Sequence, residues 1–338
     1  MKLHLFMNLI MISVMISAEE RCSINAGDST ARKSEIYENA VKIAEKHQGS
    51  FQVSPAAIPE SWSNKRIPIR SYLAGMIEEV RQQVRLRNSS PNRENPDQGF
   101  NTFFCDQTRL PAEIDWRKEN KVTPVKSQGT CGSCWAFAST ACFESAIACK
   151  TGKLIDLSEQ DLINCNYEGM GCDGGFYTAV DLFRKEGGVL ESDEPYQAAN
   201  GTCRKNPRNY KITTWRWYYK DTQAVYIAGP EADQISQTET DLKTLIKMSI
   251  VQSGSCGIAV KADDSFMAYS GGIYDVVATE PTDHGVIAVG YSDSGKYWII
   301  KNSWDTTWGE EGFGRIAYGA AGIEDIGCML VYQSDSSS

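Results

Sequence analysis

Apolar positions follow two different periods along this 338-residue chain, helical in the middle and strand-like toward the end. After Cys134, the residues Trp135, Ala138, Ala141, Cys142, Ser145, Ala146 and Cys149 recur at the three- and four-residue spacing of one helix face, and the run stops at Gly152. Further on, an apolar run from His284 to Tyr291, a turn-rich stretch at 292–295 and a second apolar run at 296–302 predict a β-hairpin. Residues 257–260 add another short strand. From about 110 to 220 the pattern is helical around Cys134 and then rich in loops and cysteine; beyond about 240 short strands dominate. A helix-rich half followed by a strand-rich half predicts an α+β fold of two packed subdomains with a cleft between them.

The N-terminal third reads differently. Lys2 precedes a short apolar stretch from Leu5 to Ile16 that ends at Ser17-Ala18, the pattern of a secretory signal over residues 1–18. It is shorter than the roughly 20 residues of a spanning helix, and no later segment is long and apolar enough, so no membrane span is expected. Residues 19–109 have the composition of a prosegment, charged helices between polar loops, with an amphipathic candidate at Leu73, Met76, Ile77, Val80 and Val84. A net charge of −9 argues against nucleic acid or an anionic membrane as partner. Eleven cysteines point to an oxidising compartment and hence to the secretory pathway, extracellular or lysosomal. Asn88 and Asn200 open glycosylation acceptor sequences in such a setting.

Cys134 stands where the predicted helix begins. Unpaired N–H groups and the positive dipole end favour an anion there, so the thiol is expected to be held as thiolate, a nucleophile. Of three histidines, His4 and His47 fall in the signal and the prosegment, which leaves His284 as the base. Counting back through the hairpin sets Asn302 beside His284, yet strict register over a four-residue turn puts them on opposite faces. An odd-length loop or a bulge is therefore expected, and the amide oxygen then accepts the imidazole N–H. A Cys131-x-x-Cys134 pair is alternatively a disulfide, a redox motif or half a zinc site. Zinc lacks a second such pair and a second histidine after residue 110, and nothing nearby suggests the βαβ unit of a redox protein, so neither metal nor cofactor is expected. Cys142 and Cys149 lie two helical turns apart, about 10 Å, and do not bridge each other.

Gln128, Cys131-Gly132-Ser133-Cys134-Trp135, Asp283-His284-Gly285 and Asn302-Ser303-Trp304 with Trp308-Gly309 together resemble the signatures of papain-like cysteine peptidases. Further matches are Leu157-Ser158-Glu159-Gln160, Cys165, Gly171-Cys172-Asp173-Gly174-Gly175 and Ser270-Gly271-Gly272-Ile273, so the resemblance runs from about 110, where the mature domain 110–338 is expected to begin. It implies a papain-like fold with a helical N-terminal half and a β-barrel-like C-terminal half. It implies Cys134 as nucleophile, His284 as its base and later general acid, Asn302 as the group that orients the histidine, and Gln128 with the Cys134 N–H as the oxyanion hole. Trp304 and Trp308 resemble indoles that shield the Asn302–His284 bond. Gly174 and Gly175 fall where the family presents extended backbone to a peptide. Phe176, Tyr177, Ala259, Thr282 and Gln333 fall where it lines the pocket for the side chain two before the cut, which implies a hydrophobic preference. Disulfides Cys131–Cys172 and Cys165–Cys203 are implied as well, leaving Cys134 free.

By the same resemblance the partners are protein and peptide substrates and the chain's own propeptide as inhibitor, the enzyme acting as a monomer. The prosegment departs from the family: Arg32, Tyr37, Asn39 and Ile43 match its helix signature imperfectly, and His47 stands in place of an asparagine. A second motif at 99–106 carries Cys105 in the acid's place, about fifty residues further on, and only 107–110 remain as linker. Part of the inserted segment is therefore expected to cover the cleft. Asp305 stands where the family commonly has glycine. A catalytically silent homologue is the rival reading, but such members usually lose the cysteine or histidine, and both are kept here. A cathepsin B-like blocking loop needs a second histidine. The expectation is a cysteine endopeptidase made as a secreted zymogen.

Overall fold

A computed structural model describes residues 26–59, 110–219, 224–228, 233–237 and 240–332. The candidate helix at 73–84, the motif at 99–106, Asn88 and Gln333 lie outside the described residues.

Within the N-terminal segment, helix α1 (Ala26–Lys46) is followed by a short strand β1 (Phe51–Val53). Ile36, Ala40 and Phe51 are buried in the core of the C-terminal half, Phe51 with its ring 4.8 Å from that of Tyr274. His47, the departure from the family signature, has a partner of its own: Nδ1 lies 2.7 Å from a carboxylate oxygen of Asp275, which also accepts from Ser50 Oγ at 2.8 Å.

The helix predicted after Cys134 is α2 (Cys134–Thr151), between β2 (Glu113–Asp115) and the short helices α3 (Glu159–Cys165) and α4 (Asp181–Lys185). Trp135 through Ala148 are buried without interruption, so α2 is an interior helix rather than a surface one. Gly152 closes it in the left-handed conformation, φ 75°, with its N–H on Ala148 O.

Two stretches differ from the expectation. Residues 212–237, expected as loop up to about 220, form an antiparallel meander, β3 (Ile212–Tyr219), β4 (Ala224–Ala228) and β5 (Asp233–Gln237). Where strands were expected to dominate, α5 (Leu242–Ser253) is a helix. Asp241 caps it by accepting the Thr244 N–H, Gly254 closes it at φ 83°, and Leu242, Leu245, Ile246 and Ile250 form its buried side. Cap, spacing and closing glycine are all local signals, outweighed in the sequence reading by the strand-rich surroundings.

The remaining elements are β6 (Cys256–Val260), α6 (Asp264–Met267), β7 (Tyr269–Tyr274), β8 (His284–Ser292), β9 (Tyr297–Lys301), β10 (Phe313–Ala317) and β11 (Ile326–Tyr332). The strands form one mixed sheet in the order β1-β7-β10-β9-β8-β6-β11-β3-β4-β5, with β2 added on β8 and β7–β10 paired in parallel. β8, buried along its whole length, lies at the centre of that order. Strand β1 thus extends the sheet at the β7 edge, with Phe51 opposite Gly272. Asp241→Ala removes the α5 cap and is expected to lower stability by about 1 kcal/mol, read as a lower urea midpoint at unchanged slope.

Candidate active site

Two backbone features bring the predicted groups together. Strand β8 pairs with β9 in one register from Ser292↔Tyr297 to Gly290↔Ile299 and in another from Ala288↔Ile300 to Ile287↔Lys301. Val289 is the extra residue, the expected bulge, and the one-residue shift turns His284 and Asn302 to the same face. Across the divide between the halves, Gly285, beside His284, packs on Cys134. A Cβ added to Gly285 would stand 3.4 Å from Cys134 O, so the start of β8 lies directly against the start of α2.

His284 is buried, with Nε2 2.7 Å from Asn302 Oδ1. The Ser303 N–H also donates to that atom, at 2.8 Å, which identifies it as the amide oxygen. An oxygen can only accept, so Nε2 carries the proton and Nδ1 is left to serve the sulfur. Trp304 stacks on the imidazole at 4.3 Å and 29°, and Trp308, fully buried, meets Trp304 edge to face at 5.8 Å. Gln128 is tied to the same group: Oε1 accepts from Ser303 Oγ at 2.7 Å, and Nε2 donates to Cys131 O at 2.9 Å. An amide nitrogen has two protons, so the second N–H remains to meet an oxyanion. Ser303, which sequence reasoning passed over, therefore links Gln128 to Asn302.

Residues 110–333 match the family model described as papain family cysteine protease. The chain belongs to that family. Among similar proteins, the senescence-specific cysteine protease SAG12 of Arabidopsis thaliana is 42% identical over 61% of this chain and 56% of its own length. Procathepsin L of Rattus norvegicus is 39% identical over 62% of this chain and 61% of its own. The chain thus spans somewhat over half the length of these curated relatives. Among solved structures, the Carica candamarcensis cysteine protease CMS1MS2 in complex with E-64 covers 67% of this chain and 100% of its own, with 33% identity and a TM-score of 0.56. Digestive procathepsin L 3 of the Tenebrio molitor larval midgut covers 91% of this chain and 94% of its own, with 27% identity and a TM-score of 0.62.

Both disulfides that the papain-family resemblance implies are formed, Cys131–Cys172 and Cys165–Cys203, and Cys134 is a free thiol. Burial pushes Cys134 up to about 11, opposed by the N–H groups of Gly285, Trp135 and Cys134 itself. Desolvation outweighs the helix end, so a stable thiolate needs the counter-charge of an imidazolium as well.

The remaining predicted residues divide by location. Gly174, at φ 118°, and Gly175 follow Cys172, and a Cβ on Gly175 would stand 2.5 Å from the Trp135 indole. Packing on Trp135 therefore demands glycine there irrespective of any substrate. Phe176, Tyr177, Ala259 and Thr282 are all buried. Asn200 is exposed, and its Oδ1 accepts the Cys172 N–H. Asp305 explains its own departure: its φ of 66° is left-handed, where glycine is easiest and aspartate is tolerated. Sequence reasoning also missed the charged cluster behind the site, where Lys126 pairs with Glu159 at 2.9 Å and Lys301 donates to Thr123, itself bonded to Glu144.

Proposed function

We propose that this chain is a cysteine endopeptidase. His284 Nδ1 removes the Cys134 proton and the thiolate attacks the peptide carbonyl carbon. The resulting oxyanion is met by the Gln128 amide and the Cys134 N–H. The C–N bond then breaks, the amine leaves with the proton from His284, and a thioester remains on Cys134. Water, deprotonated by His284, attacks that thioester and regenerates the thiol. Asn302 keeps the imidazole in the tautomer that makes Nδ1 basic, and Trp304 keeps water from their bond. Gly174 and Gly175 offer backbone to an extended peptide.

The same reading covers the rest of the chain. Residues 1–18 are the signal peptide of a secretory-pathway protein bound for the medium or a lysosome, carrying glycans at Asn88 and Asn200. Residues 19–109 are the propeptide, and 110–338 are the mature, monomeric peptidase. Docking of α1 and β1 on the C-terminal half supports the propeptide reading, as does the match of this chain over most of a procathepsin L.

One observation supports the catalytic assignment: Gly285, next to His284, packs against the backbone of Cys134, where an added Cβ would stand 3.4 Å from Cys134 O, so the cysteine of one half meets the histidine-bearing strand of the other. The processed protein, treated with a reductant and a peptidyl epoxide, is expected to carry a single adduct on Cys134 by mass spectrometry, and Cys134→Ser none. A correctly folded protein without an adduct favours the silent-homologue reading. Asn302→Ala should lower kcat by at least about 10²-fold with little change in KM. Gln128→Ala should lower kcat by about 10²–10³-fold.

A further inference from the structure

Tyr196 lies in the loop between α4 and β3, and its hydroxyl meets two residues of the segment that leads into Cys134. It donates to Gln128 O at 2.7 Å and lies 2.6 Å from Ser133 Oγ. A carbonyl only accepts and a phenol has one proton, so Ser133 donates to Tyr196 and Tyr196 to Gln128. Burial pushes the phenol up to about 12, so that proton is present at neutral and acid pH. Ser133 stands at the N-cap of α2, where a serine ordinarily accepts a helix N–H, yet its side chain makes no capping bond. Its hydroxyl is given to Tyr196 instead, one residue before the nucleophile. The tyrosine is itself fixed: its ring meets Phe137 edge to face at 4.8 Å, and its N–H donates to Glu191 Oε1 at 2.9 Å.

The Gln128 backbone is held from two sides. Its N–H donates to Ser303 O of the other half at 2.9 Å, and its carbonyl takes the Tyr196 hydroxyl. Without that hydroxyl the carbonyl keeps, among the described residues, only the Cys131 N–H, 3.4 Å away and beyond the usual length of such a bond. Gly129, next along, is left-handed at φ 58°, so the chain turns sharply just after Gln128 and has no regular ladder to steady it. We propose that Tyr196 is a positioning residue of the oxyanion hole: it fixes the Gln128 backbone, and with it the direction in which the side-chain N–H meets the tetrahedral oxyanion. The inference rests on the peptidase reading above and adds to it a residue that acts only through Gln128. A donor displaced by about 1 Å forfeits much of what a preorganised one contributes, on the order of 10–100-fold in rate.

The test uses the full chain after processing, with kcat expressed per Cys134 titrated by the peptidyl epoxide, so that any misfolded fraction drops out. Tyr196→Phe keeps the ring on Phe137 and removes only the hydroxyl. It is expected to lower kcat about tenfold or more with KM little changed. A peptidyl aldehyde, whose hemithioacetal places an oxyanion in the hole, should bind more weakly by a similar factor. Alkylation of Cys134 by iodoacetamide develops no such oxyanion and should keep its wild-type rate. In a Gln128→Ala background Tyr196→Phe should cost nothing further, because the donor it positions is already gone. Ser133→Ala removes the donor to Tyr196 and should shift kcat and aldehyde affinity in the same direction; it decides the matter if Tyr196→Phe does not fold. Unchanged kcat and aldehyde affinity overturn the inference, as do losses that add to those of Gln128→Ala, or a slowed alkylation, which would place the effect on the sulfur. No turnover and no epoxide adduct in the wild type sinks the peptidase reading itself and this inference with it. Normal wild-type turnover alongside any of the overturning results sinks only the role of Tyr196.

Discussion

Helix α2 is buried on every side, and the rest of the molecule depends on that. A helix with no solvent-facing side is stable only when neighbours cover it all round. Here α3 and the turn at 177–180 do so from one half, and β6, β8 and β11 from the other. Because the seam between the halves runs along this helix, its N-terminal residue, Cys134, emerges at the seam. The strand that opposes it there begins with His284. Burying α2 and bringing Cys134 up to the strand that carries His284 are one event.

Interior placement has electrostatic consequences. Glu144 on α2 is 1% exposed, and burial raises its carboxyl, while burial lowers the ammonium of Lys301. Thr123 takes part in both sides, donating to Glu144 and accepting from Lys301. This cluster connects α2 to β9, the strand that leads into Asn302, so the position of the orienting amide is tied to the helix that carries the sulfur. The same desolvation that makes the seam rigid works against the thiolate. The Val289 bulge, Asn302, Ser303 and Trp304 all fix the position of His284 at that seam.

Tyr177 closes the seam at a second place. Its hydroxyl spans from one half to a backbone carbonyl of the other, beside Gly285, where the absence of a side chain leaves room for it. That one hydrogen bond links the halves directly.

The sequence alone determined what is encoded in neighbouring residues: the α2 helix and its end at Gly152, the β8–β9 hairpin, and the need for a bulge, since counting residues to the turn exposed a mismatch of faces between His284 and Asn302. It also held the local signals of α5, the Asp241 cap and the leucine–isoleucine spacing, which the strand-rich context obscured, whereas the β3–β5 meander had no pattern strong enough to identify. Papain-family motifs implied both disulfides, which form. Only the tertiary structure decided that Ser303 joins Gln128 to Asn302, that His47 meets Asp275, and that the Tyr177 hydroxyl bonds Ile258 O across the seam. Each of these joins segments distant in sequence, and desolvation and cross-half contact are set by where the folded halves come to rest, a quantity that no local spacing of residues carries.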